Sequence, residues 1–323
     1  MRAVLCKSFG GGLSVEEVPQ PKPGPGSVLI EVHAAAVNFF DTLIIEGKYQ
    51  EKPALPFSPG AEVAGRIAEL GEGVEGLAVG DRVMATFSWG GFADFVVTPA
   101  ESVMRIPDGM EFAVAAGFPI AYGTSHGALE WRARLQPGET LLVHGAAGGV
   151  GLTAVEVGKA MGATVIATAS SAEKLAVARE HGADHLVNYT TENFRDRVKE
   201  ITGGRGADVI YDPVGGEVFE QSLRCVAWGG RLLVIGFAGG KIPQIPANIL
   251  LVKNADAIGY YWGSYRKHRP ELVRESFQKL LGWFEAGKLR PHVSHRLPLE
   301  EASRALELLS TRRATGKVVL TMR

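Results

Sequence analysis

Cysteine is scarce in this chain: only Cys6 and Cys225 among 323 residues. Two thiols exclude a disulfide framework and a four-thiolate zinc site. Both are read as small core residues. An excess of either charge is also lacking. Thirty-four basic residues stand against 35 acidic ones, a formal net charge of −1. That balance gives nucleic acid or an anionic membrane no electrostatic footprint. No apolar run approaches the roughly 20 residues of a membrane span. The stretch MRAVLCKSFGGG lacks the apolar core of a signal peptide. The expectation is a cytoplasmic protein acting on a small molecule, with neither nucleic acid nor membrane as partner.

Glycine is the residue in excess, 41 in all, and apolar residues make up 46% of the chain. The glycines fall between apolar runs, so they mark tight turns and close backbone approaches. Up to about residue 115 the runs are short and strand-like: RAVLC, SVLIEVHAAAV, EVAGRIAEL, RVMATF and FADFVVT. PKPGPGS, GEGVEG, VGD and SWGG separate them. That texture predicts a mostly β domain. From about 120 to 262, strands such as TLLVHGA, TVIATAS, ADVIYDPV and GGRLLVIGF alternate with helical segments. The alternation predicts βαβ units and a doubly wound parallel sheet, an α/β fold. Two more helical stretches and a strand, GKVVLTM, follow residue 263. The last strand has no βαβ partner and is expected to return to the first domain. The expected domains are 1–120 with 264–323, and 121–263.

LLVHGAAGGVGLTAVEVGKAMG carries G-x-x-G-G-x-G between an apolar strand and a helix read as amphipathic. Glycines let the backbone approach a pyrophosphate, and a helix N-terminus adds free N–H groups and a favourable dipole. Gly145, Ala147, Gly148, Gly149, Val150 and Gly151 are therefore the candidate cofactor loop. Roughly twenty residues on, a second strand should end beside the adenosine ribose, where an acid would bind the 2′-hydroxyl of NAD. The sequence there is ATASSAEK, residues 167–174, with no acid at the strand end. Ser170 and Ser171 offer hydroxyls to a 2′-phosphate, and Lys174 offers an ammonium. The expected cofactor is NADPH. The other reading makes Ser171 a helix N-cap and Lys174 a solvated helix residue.

With these motifs in view, the chain resembles the zinc-independent quinone oxidoreductases of the ζ-crystallin type, in the medium-chain dehydrogenase/reductase superfamily. The resemblance runs through AAAVNFFDTLIIEGKY (34–49), PFSPGAEVAGRI (56–67), VGDRV (79–83) and HGAAGGVG (144–151). It continues through ATASSAEK (167–174), VNY (187–189), GGRLLVIG (229–236) and ATGKVVL (314–320). It implies a GroES-like domain and a Rossmann nucleotide-binding domain. It also implies that Asn38, Ala61 and Ile120 stand where zinc relatives carry ligands. An amide, a methyl and a sec-butyl group cannot replace thiolates and an imidazole, so no metal is expected. His292 and His295 form H-x-x-H without an accompanying carboxylate or thiolate cluster and are read as a surface loop.

Without a Lewis acid, the hydride acceptor should itself be electrophilic, a quinone or an activated enone. The resemblance implies catalytic roles for Asn38, Asp41 and Tyr49. Asn38 would donate to a carbonyl oxygen as charge builds there. Tyr49 would donate a hydrogen bond or wall the pocket, and Asp41 would orient its neighbours or serve a helix cap. Cofactor contacts are implied for Tyr122, Thr124, Tyr189, Gly236, Phe237, Asn248 and Arg313. Lys253 and Lys317 lie in the same segments, with a solvated role equally open to them. The expected activity is NADPH-dependent quinone reduction. Its rivals are reduction of α,β-unsaturated carbonyls, thioesters included, and a nonenzymatic NADPH-binding role. A homodimer is expected through ADAIGYYWGSY, residues 255–265, an apolar sheet edge that pairing would satisfy.

Overall fold

The computed structural model describes residues 1–322. It divides into two compact units, Met1–Ile120 with Pro291–Arg323, and Ala121–Arg290.

The first unit is built on a seven-stranded sheet. Ser27–Val37 pairs antiparallel with Glu62–Leu70, Phe95–Pro99 and Lys317–Thr321. Arg82–Thr86 and then Val103–Arg105 extend the sheet beyond Glu62–Leu70. Arg2–Cys6 and Leu13–Glu17 form a separate ribbon. Val28, Ile30, Val63, Phe92, Val318 and Leu320 share one core. Helix Ala302–Ser310 buries Ala302, Ala305 and Leu306, the i, i+3, i+4 spacing that lays one helical face on a sheet. The final strand does return here, with Val318 opposite Val37. RPHVSHRL is not a loop. Val293–Pro298 is a strand beside Lys317–Thr321, and His292 Nε2 meets Thr315 Oγ1 at 3.0 Å. An edge strand with one solvated face carries polar residues, so no apolar run announces it.

The second unit holds six parallel strands. Their order is His185–Asn188, Thr164–Ala169, Thr140–Val143, Ala207–Asp212, Val226–Val234 and Asp256–Gly259. Chain order reverses between Thr140–Val143 and Ala207–Asp212, the switch point at which such sheets hold ligands. Every residue of TLLV is buried, as a strand covered on both faces requires. Helix Gly149–Ala160 is buried without a break from Gly151 to Gly158, so it is packed on most sides and not amphipathic. The sequence reading gave 264–290 to the first domain, yet helices Trp262–His268 and Pro270–Glu285 group with the second unit. Two contacts explain this. Phe277 lies edge-on to Trp262 with ring centroids 6.2 Å apart, and Ser276 Oγ meets His126 Nδ1 at 2.8 Å.

Gly145 follows the first parallel strand with φ +57°, a left-handed conformation that favours glycine. Gly151 approaches it so closely that a Cβ would lie 2.2 Å from the Gly145 carbonyl oxygen. Gly151→Ala should therefore lower stability by about 1–3 kcal/mol through overpacking. Gly12→Ala should be near neutral, because nothing lies within 4 Å of a Cβ there. Urea unfolding of both variants measures the difference; equal midpoints would contradict the close approach.

Candidate active site and cofactor loop

In the first unit, polar groups gather at one end of three adjacent strands. The register sets Val37 opposite Val318 and Ala35 opposite Val63, which brings Asn38, Lys317 and Glu62 together. Lys317 Nζ donates to Asn38 Oδ1 at 2.6 Å, Glu62 Oε1 at 2.8 Å and the Val37 carbonyl at 3.3 Å. Asn38 Nδ2 donates to Glu62 Oε1 at 2.9 Å, and Glu62 Oε2 accepts the Ile120 N–H at 2.8 Å. All three side chains are buried. The sequence leaves Lys317 open between a cofactor contact and a solvated role, and does not single out Glu62. The available signal was the position of Lys317 at the head of KVVL, a strand apolar enough to be covered on both faces.

Asp41 is the third residue of helix Phe39–Ile45. Its Oδ2 accepts the Asn38 N–H at 2.7 Å, and its Oδ1 accepts the Gly60 N–H at 3.3 Å. It serves the helix start and ties that start to the Gly60 loop. Burial pushes its carboxyl up to about 7, against the Asn38 N–H, the Lys317 ammonium and the Gly60 N–H; Glu62 adds to the rise. Tyr49 stacks on Phe40 with ring centroids 5.5 Å apart, beside the apolar cluster of Cys6, Ile44 and Phe57.

Zinc requires several converging nitrogen, sulfur or oxygen ligands. Among the described residues no three His, Cys, Asp or Glu side chains converge in that way. Ile120 offers only its N–H, and the Lys317 ammonium already pairs with Glu62. This donor set does not fit zinc.

In the second unit, the glycine loop turns back on itself through a bond from the Gly148 N–H to the Gly145 carbonyl at 2.9 Å. Gly148 is the N-cap of helix Gly149–Ala160 and brings no side chain to its first turn. The first-turn N–H groups thus remain available to an anion. Ala147 is buried, while Gly149 and Val150 are half-buried. Beneath the loop, His144 is fixed in one tautomer. Ser222 Oγ donates to the Val218 carbonyl at 2.7 Å, so it accepts from His144 Nε2 at 2.8 Å. His144 Nδ1 then accepts from Thr168 Oγ1 at 3.0 Å. Burial pushes this imidazole down to about 3, so it is neutral at ordinary pH and anchors the strand end.

At the second strand end, Lys174 Nζ donates to Ser170 Oγ at 3.4 Å. Ser171 caps helix Ala172–Glu180, its Oγ accepting the Lys174 N–H at 3.3 Å. Ser171 also holds the Glu173 carboxyl below its ordinary value by a hydrogen bond. Its hydroxyl is therefore engaged within its own turn. The Tyr189 N–H donates to the Ala169 carbonyl at 3.2 Å, which puts Tyr189 beside the end of strand Thr164–Ala169.

The remaining candidates have other placements. The Tyr122 hydroxyl donates to buried Glu156, which also meets His181 Nδ1 at 2.6 Å and the Arg290 N–H at 3.0 Å. Burial and the Glu156 charge raise the Tyr122 phenol well above its ordinary value. Its polar end is thus held by protein. Thr124 is half-buried on helix Pro119–Gly127. Phe237, after Gly236, lies close against Gly215. Asn248 is exposed on the short helix Ala247–Lys253, while Lys253 Nζ donates to the Val226 carbonyl at 2.6 Å. Arg313 is exposed and donates to Glu307 at 2.5 Å and Thr311 at 3.0 Å.

Residues 24–108 match the alcohol dehydrogenase GroES-like domain family, and residues 149–285 match the zinc-binding dehydrogenase family. The chain is 46% identical to a quinone oxidoreductase-like protein 2 homolog from Nematostella vectensis, covering 99% of this chain and 88% of that protein. It is 38% identical to a quinone oxidoreductase from Pseudomonas aeruginosa, covering 99% of each. Its structure is similar to Escherichia coli quinone oxidoreductase complexed with NADPH. That similarity has a TM-score of 0.92 at 30% identity and covers 99% and 100% of the two chains.

The raised carboxyl of Asp41 has a defined pH signature. Above about pH 4 the unfolded chain has released this proton while the folded chain still holds it. Asp41's contribution to stability therefore falls as pH rises towards its folded value of about 7. Asp41→Asn has no such proton. Its stability relative to the parent should rise by about 2–3 kcal/mol between about pH 5 and pH 7.5. Urea unfolding at the two pH values measures it; a constant offset would overturn the assignment.

Proposed function

The chain belongs to the zinc-independent quinone oxidoreductases of the medium-chain dehydrogenase/reductase superfamily, and we propose that it reduces quinones with NADPH and no metal. The observation that carries this reading is the first unit's polar centre, which holds an amide donor and an ammonium in place of metal ligands. Bound NADPH supplies the hydride. The loop 145–151 holds the pyrophosphate on backbone N–H groups, because glycine leaves room for it. Lys174 and Ser170 receive the 2′-phosphate, with Tyr189 beside them. Ser171 keeps the helix start in place so that Lys174 stays at the strand end. Asn38 donates its remaining Nδ2–H to the acceptor's carbonyl oxygen, stabilising charge as it develops. Tyr49, stacked on Phe40, walls the acceptor site. Both cysteines are free and buried, which suits a reducing compartment, and the cytoplasm is the location we assign.

The working form in this proposal is a homodimer. Strand Asp256–Gly259 is the last of its sheet, with Val226–Val234 as its neighbour on one side. Exposed apolar side chains lie nearby. Trp228 is 75% exposed, and Leu251 and Val252 on the adjoining helix are 77% and 71% exposed. A second copy would cover these groups and pair the strand edge.

A charge-assisted hydrogen bond contributes about 1.5–3 kcal/mol, roughly a tenfold to hundredfold change in affinity. NADPH oxidation with a panel of quinones and enones tests the activity. Quinones should be reduced, and Lys174→Ala should weaken NADPH by about ten- to a hundredfold while leaving NADH unchanged. Turnover of enones alone would overturn the activity, and equal loss for both cofactors would overturn the phosphate site. Light scattering should show a dimer, and Leu251→Asp with Val252→Asp should give a monomer that still binds NADPH. A monomeric parent would refute the assembly.

A further inference from the structure

We propose that Lys317 is a positioning residue for quinone reduction. With Glu62 it locks the Asn38 amide in one orientation and leaves a single Nδ2–H for the acceptor's carbonyl oxygen. This rests on the role proposed above for Asn38.

An asparagine amide has an accepting end and a donating end, and a half-turn exchanges them. Here chemistry forbids the half-turn on both sides. An ammonium only donates, so Lys317 takes Oδ1, at 2.6 Å; a carboxylate only accepts, so Glu62 takes Nδ2, at 2.9 Å. A flipped amide would set NH₂ against the ammonium and oxygen against the carboxylate. Neither partner is loose. The three N–H bonds of Lys317 are used on Asn38, Glu62 and Val37, and the Ile120 N–H holds the second oxygen of Glu62. The stem of Lys317 is held as well, because it packs on Gly117, where a Cβ would come within 3.1 Å of Lys317 Cγ. The backbone of Asn38 is fastened separately through its N–H to Asp41.

Nδ2 carries two hydrogens, and Glu62 takes one. The other is the donor that a reacting carbonyl oxygen meets. The ammonium at Oδ1 also draws electron density through the amide, which strengthens that N–H as a donor. Asn38 and Lys317 are only 8% and 7% exposed, so little water screens the effect.

Two readouts test the proposal on the full chain: Asn38→Ala, Lys317→Met and the double variant in turnover, and the side-chain amide signals of Asn38. The probes are NADPH with 1,4-benzoquinone, and ¹⁵N-asparagine labelling, with the Asn38 pair assigned by its loss in Asn38→Ala. In Lys317→Met the amide pair should move from its position in the parent, because Oδ1 has lost the ammonium that fixed it. The kcat should fall about a hundredfold, as for loss of one oxyanion donor, with KM for NADPH unchanged. In the Asn38→Ala background the same substitution should cost nothing further, because coupled residues are not additive. Additive losses, or an unmoved amide pair, would overturn the proposal. Removing one partner of a buried ion pair can unfold a protein. Lys317→Met combined with Glu62→Gln leaves no lone charge and carries the same expectations. If the parent protein reduced no quinone, the proposed function would fail, while the amide signals would still decide whether Lys317 locks Asn38.

Discussion

The buried pair of Lys317 and Glu62, 2.8 Å apart, is the constraint on which the first unit turns. It ties the final strand to strand Glu62–Leu70 and to the end of strand Ser27–Val37, where Asn38 follows. Taking two charges from water costs several kcal/mol per ion, and their attraction offsets that only when every hydrogen bond is made. Here the bonds are made, to Asn38, Val37 and Ile120. A well-packed apolar trio would serve stability as well or better. What such a trio could not do is hold an amide by both ends. The pair therefore serves the orientation of the Asn38 amide more than the strength of the fold.

The second unit works by the opposite means. It removes side chains where the first unit inserts charges. Gly151 lets the helix start approach the Gly145 carbonyl until no Cβ fits between them, and Gly145 takes the left-handed turn that precedes it. The N-cap glycine brings no side chain to the first-turn N–H groups. His144 holds the strand end from below as a neutral imidazole, so it adds no charge of its own to the site. At the second strand end, Lys174 sets an ammonium beside the Ser170 hydroxyl.

Burial also decides which polar groups are free to act. Tyr122 is occupied by Glu156, and Ser171 by its own helix turn. Arg313 is paired with Glu307 on the surface. Asn38 differs from these because its tertiary contacts orient the amide without using every donor. Lys317 takes the amide oxygen and Glu62 takes one N–H, which leaves the other N–H.

Local pattern was enough for the strands and helices that repeat with period 2 or 3.6, and for the glycine loop between them. Those features depend on neighbours a few residues apart, so composition and order determine them. The strand Ser27–Val37 and the parallel series from Thr140 onward were legible for that reason. The absence of an acid after TVIATA was equally legible, because it needs no partner. Asp41's place at a helix start was open to the same local reading. The strand Val293–Pro298 was not, since its pairing with Lys317–Thr321 replaces the apolar run it lacks. Nor was the second unit's claim on residues 264–290, which rests on packing such as Phe277 on Trp262. The burial of Lys317 lay furthest from reach. Its bond to Glu62 spans 255 residues of chain and its bond to Asn38 spans 279. Sheet register alone brings such residues within 3 Å, and register is set by how whole strands bury their apolar faces. A lysine in GKVVL is soluble or buried, idle or essential, according to what stands opposite, and only the folded chain decides that.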